Sequence, residues 1–197
     1  MIPASTFDKW RADYDSMTFE EMQDFYDWAH GEHPSQRHFN VDAVMRWLEQ
    51  MPQRAVILEL GGYDGELADI CLPLHPEMRW VNLEISHVPS VCSIDRYRTV
   101  TLECWPWEIE AEGFDGFLAS HSMEHLSDDH ASKMLNAADV AGCSSIYIDM
   151  PEGNWGGATA LHKLEMGWIG VDRLLVDRGY KNQWTMGGEG EARAYRR

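Results

Sequence analysis

One short stretch, Glu59-Leu60-Gly61-Gly62-Tyr63-Asp64-Gly65, has residue types and spacing suited to holding a ligand: an apolar strand runs into a glycine-rich turn bearing acids, and then into a helix. Gly61 and Gly65 permit a tight turn and let a ligand approach the backbone where a side chain would hinder it. Taken alone, two glycines after a strand also fit a plain tight connection. A dinucleotide-binding turn follows Gly-x-Gly-x-x-Gly, but counted from Gly61 the later glycine positions hold Tyr63 and Glu66. Glu59 and Asp64 would repel a pyrophosphate and suit the cationic amino group of a methionine moiety, so the turn points to a sulfonium-type ligand.

In an open parallel sheet, ligands bind beyond the carboxyl ends of the strands, at the point where the strand order reverses. Glu84 closes a second strand in Val81-Asn82-Leu83-Glu84-Ile85-Ser86. A carboxylate there can accept hydrogen bonds from both hydroxyls of a ribose, each contributing roughly 1.5–3 kcal/mol; a solvated strand-end acid is the plainer alternative. Ser120 and His121 follow a fourth strand, and Pro151 to Trp155 follow a fifth. His121 could act as a general base because imidazole titrates near neutral pH; an orienting or packed histidine is the competing reading. His125 is expected to begin a helix, with a capping or core role ahead of a ligand role. His121-Ser122-Met123-Glu124-His125 also fits H-x-x-E-H, in which two histidines one helical turn apart share zinc and the Glu activates water. That zinc-hydrolase reading needs the segment inside a helix, whereas it straddles a strand end and a helix start. Trp155 and Trp168 could stack on an acceptor or simply pack in the core.

The elements that must position these residues alternate. Short apolar runs at residues 56–60, 80–83, 99–102, 116–119 and 145–149 read as buried strands. Between them, helices are expected from Glu66 to Leu72, ended by Pro73, and from Asp128 to Ala141, ended by Gly142. A last helix is expected from about Asp172 to Arg178, with Gly179 as its left-handed terminator, before a hairpin over residues 180–186 and 192–195. The first fifty residues read as helical and aromatic-rich. Thr18-Phe19-Glu20-Glu21 is a capping-box pattern opening a helix to about Ala29, and Val41, Val44, Leu48 and Met51 share a helical face before Pro52. The expected fold is α/β and Rossmann-like: a mostly parallel central sheet with helices on both faces, a C-terminal antiparallel hairpin and a helical N-terminal cap. We divide it as a cap over residues 1–52 and one compact unit over 53–197.

In this order the residues resemble the class I S-adenosylmethionine-dependent methyltransferases. Val56 to Ala68 is similar to their first motif, an acid on strand one followed by a Gly-x-x-x-Gly turn, and Glu84-Ile85-Ser86 to their second acidic motif. Glu103-Cys104-Trp105 sits where these enzymes carry an acid near the adenine amino group, and Phe114 to Leu126 resembles their fourth-strand segment with its Glu-His-Leu ending. The likeness covers about Val56 to Tyr180. It implies S-adenosylmethionine as cofactor, with S-adenosylhomocysteine as product, held by Glu59, Gly61, Gly62, Tyr63, Gly65, Glu84, Ile85, Glu103, Cys104, Trp105 and Ser120. It implies a small-molecule acceptor near the catalytic candidate His121, with His125, Trp155 and His162 on the substrate side. Tyr63 departs from the family, which usually has a middle glycine there; its ring could cover the methionine end or pack on the core. A cofactor-binding regulatory protein without turnover is the rival reading of the same resemblance.

Composition bounds the rest. A formal charge of −17 and a sequence pI near 4.7 disfavour direct binding to nucleic acid or an anionic membrane surface. Cys71, Cys92, Cys104 and Cys143 form no C-x-x-C pair, so neither a structural zinc site nor a redox dithiol is expected and a reducing cytoplasm fits best. The N-terminal residues lack an apolar core of signal-peptide length, and no run approaches the roughly 18 apolar residues of a membrane span. No metal is expected, and the sequence leaves the oligomeric state open.

Overall fold

The computed structural model describes residues 4–32, 40–110, 112–151, 163–187 and 190–197. Among these residues, seven strands form one sheet: β1 (Val56–Leu60), β2 (Arg79–Glu84), β3 (Tyr97–Thr101), β4 (Gly116–Ser120), β5 (Ser145–Pro151), β6 (Lys181–Gly187) and β7 (Gly190–Arg196). Their order is β3-β2-β1-β4-β5-β7-β6. The first five run parallel, and the β6–β7 hairpin enters antiparallel with β7 against β5. All of β4 is buried, as its continuous run Gly-Phe-Leu-Ala-Ser requires of a central strand covered on both faces. The chain moves outward from β1 to β3 and then returns to place β4 beside β1, so the order reverses between those two strands, the position at which α/β sheets bind their ligands.

Among the described residues, six α-helices surround the sheet: α1 (Ala4–Ala12), α2 (Phe19–Glu32), α3 (Val41–Leu48), α4 (Glu66–Cys71), α5 (Asp128–Val140) and α6 (Gly167–Asp177). Leu58, Phe117, Ile146 and Ile148 pack with Met134, Leu135, Val171 and Leu175 of α5 and α6. Ile57, Leu118 and Tyr147, on the opposite pleat, pack with Val44, Trp47, Leu67 and Ala68 of α3 and α4. Local chemistry sets the ends. The Thr18 capping box forms, Thr18 Oγ1 accepting from the Glu21 N–H at 3.2 Å and the Glu21 carboxylate accepting from the Thr18 N–H at 2.8 Å. Gly179, at φ +87°, ends α6 and lets the Tyr180 N–H reach the Leu175 carbonyl at 3.0 Å.

Three boundaries differ from expectation. Helix α6 begins at Gly167, earlier than the expected Asp172. Pro73 does not stop the chain after α4, because a 3-10 turn (Leu72–Leu74) carries it at an early position where no N–H is needed. His125 begins no helix: it closes a 3-10 turn (Met123–His125), Leu126 is extended, and Ser127 caps α5 with its hydroxyl toward the His130 N–H. The N-terminal segment also serves two places. Helices α1 and α2 share their own cluster of Trp10, Met22 and Phe25, with Trp10 and Phe25 stacked at 3.9 Å. Helix α3 lies under the sheet, where Trp47 Nε1 donates to Ser145 Oγ at 2.8 Å. Among the described residues, no helix is long and apolar enough to cross a membrane.

Gly116 is the point where α3 meets β4: a Cβ there would lie 2.9 Å from the Trp47 ring and 2.8 Å from Met51 Cε. Gly116→Ala should therefore destabilise the protein by about 1–3 kcal/mol in urea unfolding. The loss should shrink when Trp47 is Phe; an equal loss in both backgrounds would show that the ring does not set it.

Candidate functional site

The turn after β1 is shaped from below. Gly61, at φ +65°, donates its N–H to the Leu83 carbonyl at 2.9 Å, and Ser122 Oγ donates to the Leu60 carbonyl at 2.7 Å. Asn82 holds the next peptide from two sides, accepting from the Gly62 N–H at 2.8 Å and donating to the Tyr63 carbonyl at 3.2 Å. A side chain at Gly62 would run into the Glu59 carboxylate, and one at Gly65, which has φ +84°, into the Tyr97 hydroxyl. These two glycines make room for buried partners beneath the turn. Tyr63 keeps a left-handed backbone, φ +53°, at the position where the resembling family has glycine, at a cost of about 1–2 kcal/mol.

Glu59 supports this turn and carries little charge. It is 1% exposed and accepts from Trp80 Nε1 at 2.8 Å. Burial, with Glu84 adding to it, pushes its carboxyl up to about 8 despite the Trp80 bond. Glu59 is packed between Trp80 and Gly62, where burial favours its protonated form. Asp64 is also buried, with Oδ1 accepting from the Glu66 N–H at 3.3 Å.

At the tip of β2, Glu84 is 1% exposed and gathers donors: the Tyr63 N–H at 2.8 Å, the Ser86 N–H at 3.0 Å and Ser86 Oγ at 2.9 Å. Burial raises its pKa against the pull of these bonds. Half-buried Ile85 packs against the α1–α2 cluster. At the tip of β3, Glu103 is exposed and Cys104 half-buried. Trp105 joins a stack, 4.9 Å from Trp107 and edge-on to Phe19 at 5.5 Å, and so belongs to the junction of α2 with the sheet domain.

Helix α2 lies across these tips, which sequence reasoning missed. Gln23 Nε2 donates to the Ile85 carbonyl at 2.9 Å and to the Leu102 carbonyl at 3.0 Å. Asp27 accepts from the His87 N–H at 2.6 Å, and His30 Nδ1 meets Ser86 Oγ at 2.8 Å while its ring stands edge-on to Tyr63 at 4.6 Å. Tyr26 approaches His125 at 6.4 Å. Burial and the neighbouring His125 push His30 down to about 4, against Asp27, so it is neutral near pH 7. A signal was present: residues 23, 26, 27 and 30 recur at helical spacing on one face.

The tip of β4 gathers the other half. Ser120, 8% exposed, pairs in register with Asp149 of β5. His121 has φ +52°, donates its N–H to the Asp149 carbonyl at 2.9 Å and places Nδ1 3.4 Å from Glu124 Oε1. Glu124 is 1% exposed; burial works against its charge, but the bond from His121 and the field of His125 outweigh it and hold its pKa below the ordinary value. Asp149, 2% exposed, accepts from the Tyr147 hydroxyl at 3.3 Å, and burial raises its pKa. It was overlooked as the last residue of a strand, although strand ends are where ligands meet an α/β sheet.

The H-x-x-E-H segment crosses a strand end and a 3-10 turn, so its two histidines do not lie one α-helical turn apart on a common face, and the zinc-hydrolase geometry is absent. Among the described residues, no three His, Cys, Asp or Glu side chains group to hold a metal ion. Trp168 lies beneath the Arg193 guanidinium, 4.4 Å from its ring centre. Trp155 and His162 lie outside the described residues.

Glu59 generates a pH test. The folded state keeps its proton up to about pH 8 while the unfolded chain releases it near 4.5, so the unfolded state binds fewer protons in between and stability falls as pH rises through that window. Glu59→Gln lacks this titration. Its stability relative to the parent should climb from pH 5 to pH 8 in urea unfolding; parallel curves would show an ordinary, ionised Glu59.

No protein-family model matches the chain, and no curated protein matches it in sequence. Solved structures do match. Magnesium protoporphyrin IX methyltransferase from Synechocystis PCC 6803, crystallised with bound S-adenosylhomocysteine, aligns with a TM-score of 0.63 at 15% identity over 98% of this chain and 95% of that one. Human N-acetylserotonin methyltransferase, in complex with S-adenosylmethionine, gives 0.63 at 15% identity over 100% of this chain and 60% of that one. Mitomycin 7-O-methyltransferase gives 0.59 at 15% identity over 98% of this chain and 60% of that one. The chain thus spans three fifths of the length of the latter two enzymes. It has the Rossmann-like fold of the class I S-adenosylmethionine-dependent methyltransferases.

Proposed function

We propose that this chain is an S-adenosylmethionine-dependent methyltransferase acting on a small-molecule acceptor. The carrying observation is the 2.8 Å bond from the Tyr63 N–H to the Glu84 carboxylate, which draws the turn after β1 and the acid of β2 together beside the point where the strand order reverses. The groups at these tips suit the cofactor. Glu84 accepts hydrogen bonds, as ribose hydroxyls require, and Asp64 adds a second buried acid beside the turn. That acceptor-rich set fits a cationic ligand bearing O–H and N–H donors and suits a pyrophosphate poorly.

The cofactor supplies a methyl carbon activated by the adjacent sulfonium. The protein's share is to hold an acceptor in line with it and to remove a proton where the acceptor is a hydroxyl. His121 is the base in this reading. Glu124, 3.4 Å from its Nδ1, orients the ring and stabilises the imidazolium that forms. Helix α2 excludes water from above through Gln23, Tyr26 and His30.

Calorimetry and a transfer assay test this. Glu84→Ala should weaken S-adenosylhomocysteine binding about 100-fold, the equivalent of roughly 3 kcal/mol of lost hydrogen bonding. Unchanged affinity would remove Glu84 from the site. With labelled S-adenosylmethionine and a broad acceptor panel, His121→Ala should slow transfer about 10²–10⁴-fold. Tight binding with no transfer to any acceptor would instead favour a regulatory protein.

A further inference from the structure

Two buried polar atoms at the tip of β4 have no hydrogen-bond partner among the described residues: Glu124 Oε2 and Ser120 Oγ. Neither is a surface group, since Glu124 is 1% and Ser120 8% exposed. A buried acceptor left without a donor is costly, and a carboxylate oxygen more so than a neutral one. Glu124 cannot readily turn away, because Oε1 lies 3.4 Å from His121 Nδ1 and its carbonyl accepts the Lys163 N–H at 2.8 Å and the Leu164 N–H at 3.2 Å. Tyr26 of α2 is pushed up first by burial, then by Tyr14, and also by Glu84 and Glu124, so its hydroxyl lies within the field of both acids.

We infer that Glu124 and Ser120 form a subsite for an amino group of the acceptor, making the acceptor an amine rather than an acid. The inference rests on the methyltransferase reading and specifies its substrate class. An alkylammonium carries N–H donors for both atoms and a charge opposite to that of Glu124, whereas an alcohol has one proton to give. A carboxylate or phosphate brings no donor and meets Glu124 with Asp149 close behind it. Held between Glu124 and Ser120, an ammonium would lie beside His121, placed to take the proton that must leave before the nitrogen can act as a nucleophile.

The test is calorimetry on the full chain saturated with S-adenosylhomocysteine. The probes are butylamine and phenethylamine, each set against the alcohol and carboxylate of the same skeleton. At least one amine should bind tenfold or more tightly than both counterparts. Glu124→Gln should abolish that preference and Ser120→Ala should reduce it at least threefold. Glu124→Gln should hold S-adenosylhomocysteine within threefold of the parent, and both variants are compared at saturating S-adenosylhomocysteine with thermal melts confirming the fold; if Glu124→Gln does not fold, Ser120→Ala decides alone. The inference is overturned if neither amine is preferred, or if the preference survives in the variants. It is also overturned if Glu124→Gln weakens S-adenosylhomocysteine instead, which would assign the subsite to that ligand's own amino group. Absence of any S-adenosylhomocysteine binding by the parent would overturn the methyltransferase reading itself.

Discussion

Tyr63 occupies a backbone conformation that an L side chain resists, and two side chains of β2 hold it there. Glu84 takes its N–H and Asn82 takes its carbonyl, while Asn82 also accepts the N–H of Gly62. These bonds couple the β1 turn to the β2 tip, and they offset a strain of about 1–2 kcal/mol. The rest follows from that coupling. With the turn fixed, Gly65 sits over the Tyr97 hydroxyl and α4 starts in place, which gives the strand tips a bonded floor.

Charge at that floor is graded by burial and by bonding. Glu59, deep and bonded to Trp80, is largely neutral. Glu124 lies equally deep but has His121 and His125 for neighbours, and it keeps its charge. Similar burial thus produces a structural prop in one case and an anionic site in the other; nearby donors and cations decide between them. In a chain of net charge −17, the placement of these few buried acids says more about ligand class than the total does.

The sheet was legible because its signals are local: five apolar runs, most of them closed by glycine or an acid, map onto β1 to β5 within a few residues. What stayed hidden depends on distant partners. Gln23 reaches carbonyls 62 and 79 residues away; its helical spacing with residues 26, 27 and 30 marks a shared face without saying what that face meets. The neutrality of Glu59 likewise follows from Trp80, whose indole donates to it from the next strand. Gly61 and Gly65 were read as letting a ligand approach, yet Gly65 clears space for the Tyr97 side chain below it, as Gly62 does for Glu59. A glycine pattern records that something comes close without recording from which side.

Amide hydrogen exchange with and without S-adenosylhomocysteine examines the gripping tips most directly. Residues 60–65 and 84–87 should gain protection together, with α2 following as it settles over the bound ligand. If the ligand binds and those tips exchange as before, or if protection gathers elsewhere on the sheet, the coupled turn and acid are not what holds it.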